Sequence, residues 1–247
     1  MISDTISAHR SIRKFKPDPI DEAMLSAILE AGTRASNTGN MQVYSLIVTR
    51  DEALRKALAP IHFNQKMVTE APVHITFCAD VNRFSQWCRN RDAEPGYNNL
   101  LWFVSAAIDT VLASQNVALA AEEQGLGICY LGTVAYNPQP LIDLLHLPHG
   151  VIPVTALVMG YPDVNPPLTP RLPLEGVVHY ETYTDYTPES IDAIYADTEA
   201  SEQTRTLLEV NQKKSLAQVF TQNRYTLKDN LAASEAYLQA LKNQGFL

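Results

Sequence analysis

Residues 98–124 put apolar side chains on almost every side of a helical wheel: Leu101, Val104, Ala107, Ile108, Val111, Leu112, Ala118 and Leu119. Such a helix needs covering, so the rest of the chain must supply a core around it. The spacing predicts one central helix, buried on most faces. Ser105, Asp109, Ser114, Gln115 and Asn116 interrupt the run and make it too polar for a membrane span. Gly125 and Gly127 mark its end, as glycine does where a chain leaves a helix. A chain of 247 residues, 46% apolar and 19% charged, is long and apolar enough to bury it.

Around that helix the pattern alternates. Asp21 reads as the N-cap of a helix carrying Met24, Leu25, Ile28 and Leu29, and Asp51 caps a short helix that stops at Pro60. Residues 43–49, 73–79, 128–131 and 154–159 read as strands. The last is almost wholly apolar, as a strand covered on both faces would be. Residues 138–145 read as a short helix led by proline. Five prolines between Pro162 and Pro173 force an extended segment. Residues 188–212 are polar and weakly periodic, and read as a surface excursion. Residues 222–247 return to helical spacing. With two long helices among the strands, α+β is the expected class.

The formal charge of -8 argues against nucleic acid or an anionic membrane as partner, since both demand basic surface. Cys78, Cys88 and Cys129 are an odd number with no CxxC pair, the usage of a cytoplasmic protein with reduced thiols. Met1–Thr5 lacks the start of a signal peptide.

Against that acidic background His9-Arg10-Ser11-Ile12-Arg13-Lys14-Phe15 stands out. Arginine forks and a short hydroxyl suit the oxygens of a phosphate monoester. Arg10 and Arg13, three apart, would reach one side of a helical turn. A charged helix end is the competing reading, and the segment alone leaves both open. Hydrolytic and metal chemistry lack their parts. Gly125-Leu126-Gly127 leaves a helix and enters a strand, the reverse of a dinucleotide fingerprint. His146 and His149 are split by a proline with no carboxylate beside them, so no metal site is expected. What remains is a scatter of polar loops around an apolar core, the setting of an organic cofactor.

The segment HRSIRKF, its spacing to Asn37 and to Gln65-Lys66, the run GLGICYLG and the segment GYPDVNPPLTPRLP together resemble the FMN-dependent nitroreductase superfamily, in order along nearly the whole chain. The resemblance is nearest to its NADPH-preferring, oxygen-insensitive nitroreductase and flavin reductase subgroup. It implies a single domain over 1–247 with an excursion at about 188–220. The implied fold is an α+β sandwich, a central mostly antiparallel sheet flanked by helices, in an intertwined homodimer with FMN at the subunit interface. By position, His9, Arg10, Ser11, Arg13 and Arg171 would hold the phosphate and ribityl end. Thr169 stands where close relatives carry a lysine. Asn37, Gln65 and Lys66 would lie near the ribityl chain and ring, and Tyr130, Leu131, Gly132 and Thr133 would approach through backbone groups.

The implied activity is ping-pong hydride transfer from NADPH or NADH, through FMN, to small acceptors such as nitroaromatics, quinones or flavins. Arg205 and Gln212-Lys213-Lys214 lie in the region where the subgroup grips the 2′-phosphate of NADPH. No acid–base pair is required of the protein, which orients the partners and tunes the cofactor. A dedicated flavin reductase and a non-catalytic flavin-binding protein are the alternatives.

Overall fold

The computed structural model describes residues 1–247. The helices are α1 (Ile2–Ala8), α2 (Glu22–Thr33), α3 (Glu52–Leu58), α4 (Met67–Glu70), α5 (Asn82–Arg89), α6 (Leu100–Glu123), α7 (Pro138–Leu144), α8 (Pro188–Ala200), α9 (Glu202–Asn211), α10 (Leu216–Val219) and α11 (Leu227–Asn243). Four strands, β1 (Tyr44–Thr49), β2 (Val73–Asp80), β3 (Gly127–Leu131) and β4 (Val151–Gly160), pair antiparallel in the order β1-β2-β4-β3. The chain divides into two compact units, Met1–Pro167 with Ala233–Leu247, and Leu168–Ala232.

In the first unit the two faces of the sheet follow from side-chain alternation. Val73, Ile75 and Phe77 of β2 and Leu157 and Met159 of β4 meet α2 and α6 in one buried cluster. Ala156 and Val158 of β4 face the other way and join Leu58 of α3, Met67 and Val68 of α4 and Leu141 of α7. All eight residues of β2 are buried, as expected of a strand covered on both sides.

The strand expected at 154–159 in fact starts at Val151 and runs through Pro153. A proline inside a central strand needs an irregularity where its missing N–H goes unclaimed. The register shifts there: Phe77 faces Thr155, whereas Cys78 faces Pro153.

The expectation that the long helix is buried on most faces is corrected. Its inward face is built of small or polar residues, among them Ala106, Thr110, Ala113, Ser114 and Ala118, while Leu100, Leu101, Val104, Ile108, Val111 and Leu112 are exposed. By length and hydropathy it passes for a membrane span. Yet buried Asp109 accepts hydrogen bonds from the backbone N–H and hydroxyl of Thr38, the packing of an interior helix.

In the second unit the polar segment 188–212, read as a surface excursion, forms α8 and α9. The signal lay in caps rather than in periodicity. The Thr187 hydroxyl accepts from Ser190 N at 3.3 Å, Pro188 occupies the first turn, and the Ser201 hydroxyl accepts from Thr204 N at 3.1 Å.

Candidate functional site

Residues 9–15 are not a helical turn, which corrects the expectation that Arg10 and Arg13 reach one side. α1 ends at Ala8, and the segment then runs along β3, with bridges from Ser11 to Ile128 and from Phe15 to Pro162. Ile12 N donates to Ile128 O at 2.8 Å. Gly127 permits this approach, because a Cβ there would sit 2.6 Å from the Ile12 side chain. Gly127→Ala is therefore expected to cost about 1–3 kcal/mol and to displace the segment, as measured by urea unfolding.

The cluster then splits by partner. His9 Nδ1 lies 2.7 Å from Glu122 Oε1. Arg10 is consumed by structure, donating to Asn165 Oδ1 at 2.8 Å and to the carbonyls of Pro166 and Ala8. Ser11 and Arg13 lie on another side, beside Cys129. Burial pushes that thiol up, and Arg13 and Ser11 act on it in the opposite sense. Arg13 is exposed and makes no hydrogen bond or ion pair within the chain.

The loop before α4 joins this neighbourhood through its buried ends. Ile12, Met67, Cys129, Leu131 and Val134 share one apolar cluster, which brings Arg13, Gln65-Lys66 and the turn at 131–134 to the same region of the unit. Gln65 Nε2 donates to His62 O at 3.1 Å. Lys66 is exposed and has no carboxylate partner. Leu131 is buried, so only its backbone is on offer, and the Tyr130 hydroxyl is bonded to Ser114 Oγ at 3.1 Å.

Gly132 supplies the test of fit for a ligand. Its φ is ordinary, and a Cβ there would meet nothing within 4 Å. Neither conformation nor the chain's own packing asks for glycine. A flat molecule lying against that backbone would ask for it, and the free cations Arg13 and Lys66 suit an anionic one.

Asn37 is not joined to these residues by any contact within the chain. Its side chain bonds its own loop, accepting from Gln42 N and donating to Ala35 O, and the loop is tied to α6 through Thr38 and Asp109. Thr169 and Arg171 are exposed on the extended segment that opens the second unit.

Sequence reading missed a buried polar chain on the second face of the sheet. His62 and His74 are both 0% exposed. Their Nε2 atoms lie 3.3 Å apart, and His62 Nδ1 lies 2.7 Å from Thr133 Oγ1. Burial holds His62 down at about 4 and His74 at about 3, the latter helped by His62 and Arg55. Both are neutral at pH 7. Residues twelve apart in sequence carry no motif, so only the fold pairs them.

A family model described as the nitroreductase family matches residues 6–161. The oxygen-insensitive NADPH nitroreductase of Salmonella typhimurium is 40% identical over 180 residues, 73% of each chain. An oxidoreductase structure from Bacteroides fragilis superposes with a TM-score of 0.97 at 50% identity, covering 99% of both chains. The NADPH:FMN oxidoreductase of Vibrio harveyi, solved with NAD+, gives 0.82 at 30% identity over 99% of this chain and 98% of that one.

Proposed function

The chain belongs to the nitroreductase family, and from that premise we propose that it is an FMN-dependent oxidoreductase that uses NAD(P)H to reduce nitroaromatics, quinones or flavins. The observation that carries the reading is the open Gly132 backbone in the same region as two unpaired cations, on a chain with 27 acidic and 19 basic residues. When bound, FMN supplies the redox chemistry, a hydride taken from the nicotinamide and passed to the acceptor in a ping-pong cycle.

The chain's own residues bind and orient. Arg13 and Ser11 would hold the phosphate. Arg10 and His9 act one step back, Arg10 fixing the segment against 165–166 and His9 against Glu122. Lys66 and Gln65 would meet the ring and ribityl chain, where a cation stabilises negative charge on a reduced ring. Asn37 completes the set proposed within the first unit. The backbone of 130–133 would approach the ring, with Gly132 keeping its own position free of a side chain.

The exposed aliphatic stripe on α6 supports a homodimer. Leu101, Val104, Ile108 and Val111 recur at three- and four-residue spacing, and each is at least 44% exposed. A contiguous apolar face on one long helix marks an interface, and a second copy of the chain meets it in this reading. Three free, buried thiols fit a cytoplasmic setting.

Purified protein incubated with FMN and desalted is expected to stay yellow and to bleach on addition of NADPH or NADH. A colourless protein would overturn the reading. Arg13→Ala is expected to weaken FMN about tenfold to a hundredfold, the worth of one charge-assisted contact to phosphate. Unchanged retention would remove Arg13 from the phosphate site. Turnover with free FMN against turnover with a nitroaromatic separates a dedicated flavin reductase from a broad one.

A further inference from the structure

The buried chain His74–His62–Thr133 ends beside Gly132, and its proton arrangement can be worked out. Between the two Nε2 atoms, 3.3 Å apart, one nitrogen must donate and the other accept. In the first arrangement His62 Nε2 donates, which leaves the proton of His74 on Nδ1. In the second His74 Nε2 donates, which leaves a lone pair on His74 Nδ1.

His74 Nδ1 is buried with no partner, so the first arrangement strands an N–H, the rarer and costlier kind of orphan. Arg55 decides further. Its charge acts on His74, and its own Nε–H is buried without a partner. A cation acting on the ring favours the arrangement that leaves a lone pair, not a second N–H, on the unpartnered nitrogen. Thr49, opposite His74 in register, does not relieve that nitrogen: its buried hydroxyl makes no hydrogen bond to His74 Nδ1 or to any other group.

We propose that His74 and His62 are positioning residues that set the hydrogen-bond direction of Thr133. His74 Nε2–H donates to His62 Nε2, His62 Nδ1–H donates to Thr133 Oγ1, and the Thr133 hydroxyl is left to donate outward to a lone-pair acceptor on the ligand. That ligand class is a heteroaromatic ring with carbonyl or imine acceptors on its edge. The inference rests on the flavin reading for the identity of the ring.

Long-range proton–nitrogen correlation spectra of histidine-labelled wild-type protein without ligand test the chain directly. The expected result is a protonated Nδ1 on His62 and a protonated Nε2 on His74. A protonated Nε2 on His62 would overturn the proposal. FMN titration by fluorescence tests the outward donor. Thr133→Val is expected to weaken binding about three- to tenfold, with Thr133→Ser within about twofold of wild type, since it keeps the hydroxyl. His62→Leu is expected to match Thr133→Val, and the spectra keep the test decisive if that variant does not fold. Wild-type affinity in Thr133→Val overturns this inference and leaves the flavin reading standing. Failure of wild-type protein to take up FMN overturns the flavin reading and the ligand named here, while the tautomers are judged on the spectra.

Discussion

Ile108→Asp is expected to turn the proposed homodimer into a monomer at concentrations where the wild type is expected to sediment as a dimer. Ile108 is 54% exposed in the single chain, so the substitution leaves the fold of each copy nearly as stable as before. In a two-fold interface the same residue is buried twice. Burying an unpaired carboxylate, or its protonated form, costs about 2 kcal/mol or more per copy. The dimer dissociation constant should rise about a thousandfold. Light scattering or sedimentation velocity reads the change. FMN retention should fall with it, because the resemblance places the cofactor between subunits. Wild type that is monomeric at tens of micromolar, or a variant that stays dimeric, would remove the α6 stripe from any interface.

Stability should also fall steeply in mild acid, on account of His62 and His74. Both have folded values far below the ordinary histidine value of 6.5, about 4 and about 3, because burial penalises the cation. The sign follows from proton counting. Below pH 6.5 the unfolded chain binds a proton at each ring, while the folded protein binds none until about pH 4. The stability these rings contribute is complete above pH 6.5 and is lost as pH falls towards 4. With two rings, the slope should approach about 2–3 kcal/mol per pH unit near pH 5. The groups facing the pair are Arg55 and each other, and neither interaction offsets the loss. Urea unfolding at pH 7, 6 and 5 gives the slope. His74→Gln, which has no titrating ring, should flatten it by about half. Equal slopes in both proteins would show that the pair charges freely in the folded state.

Much of the sheet could be read in advance because its signals are local. Strands at 44–49, 73–80 and 127–131 announce themselves by β-branched and apolar runs, and Asp21 and Asp51 mark helix starts through their own side chains. The strand expected from 154 begins at Val151, since a register shift between β2 and β4 makes a proline at 153 acceptable. The polar helices α8 and α9 were hidden because a helix without an apolar stripe has only its caps to show.

The site divides along the same line. The residue types of the proposed phosphate grip were visible in 9–13, against an acidic chain. Which of them are free was not, for Arg10 meets Asn165 and Pro166 across more than 150 positions. The sequence by itself determined the elements, the excess of acid and the chemistry of the candidate loops, because each is a property of neighbours in the chain. Only the tertiary structure decided that the long apolar helix turns mostly small residues inward and leaves Leu100, Leu101, Val104, Ile108, Val111 and Leu112 exposed. It alone put two histidines nose to nose behind Thr133, because burial and pairing depend on which distant segments the fold brings together.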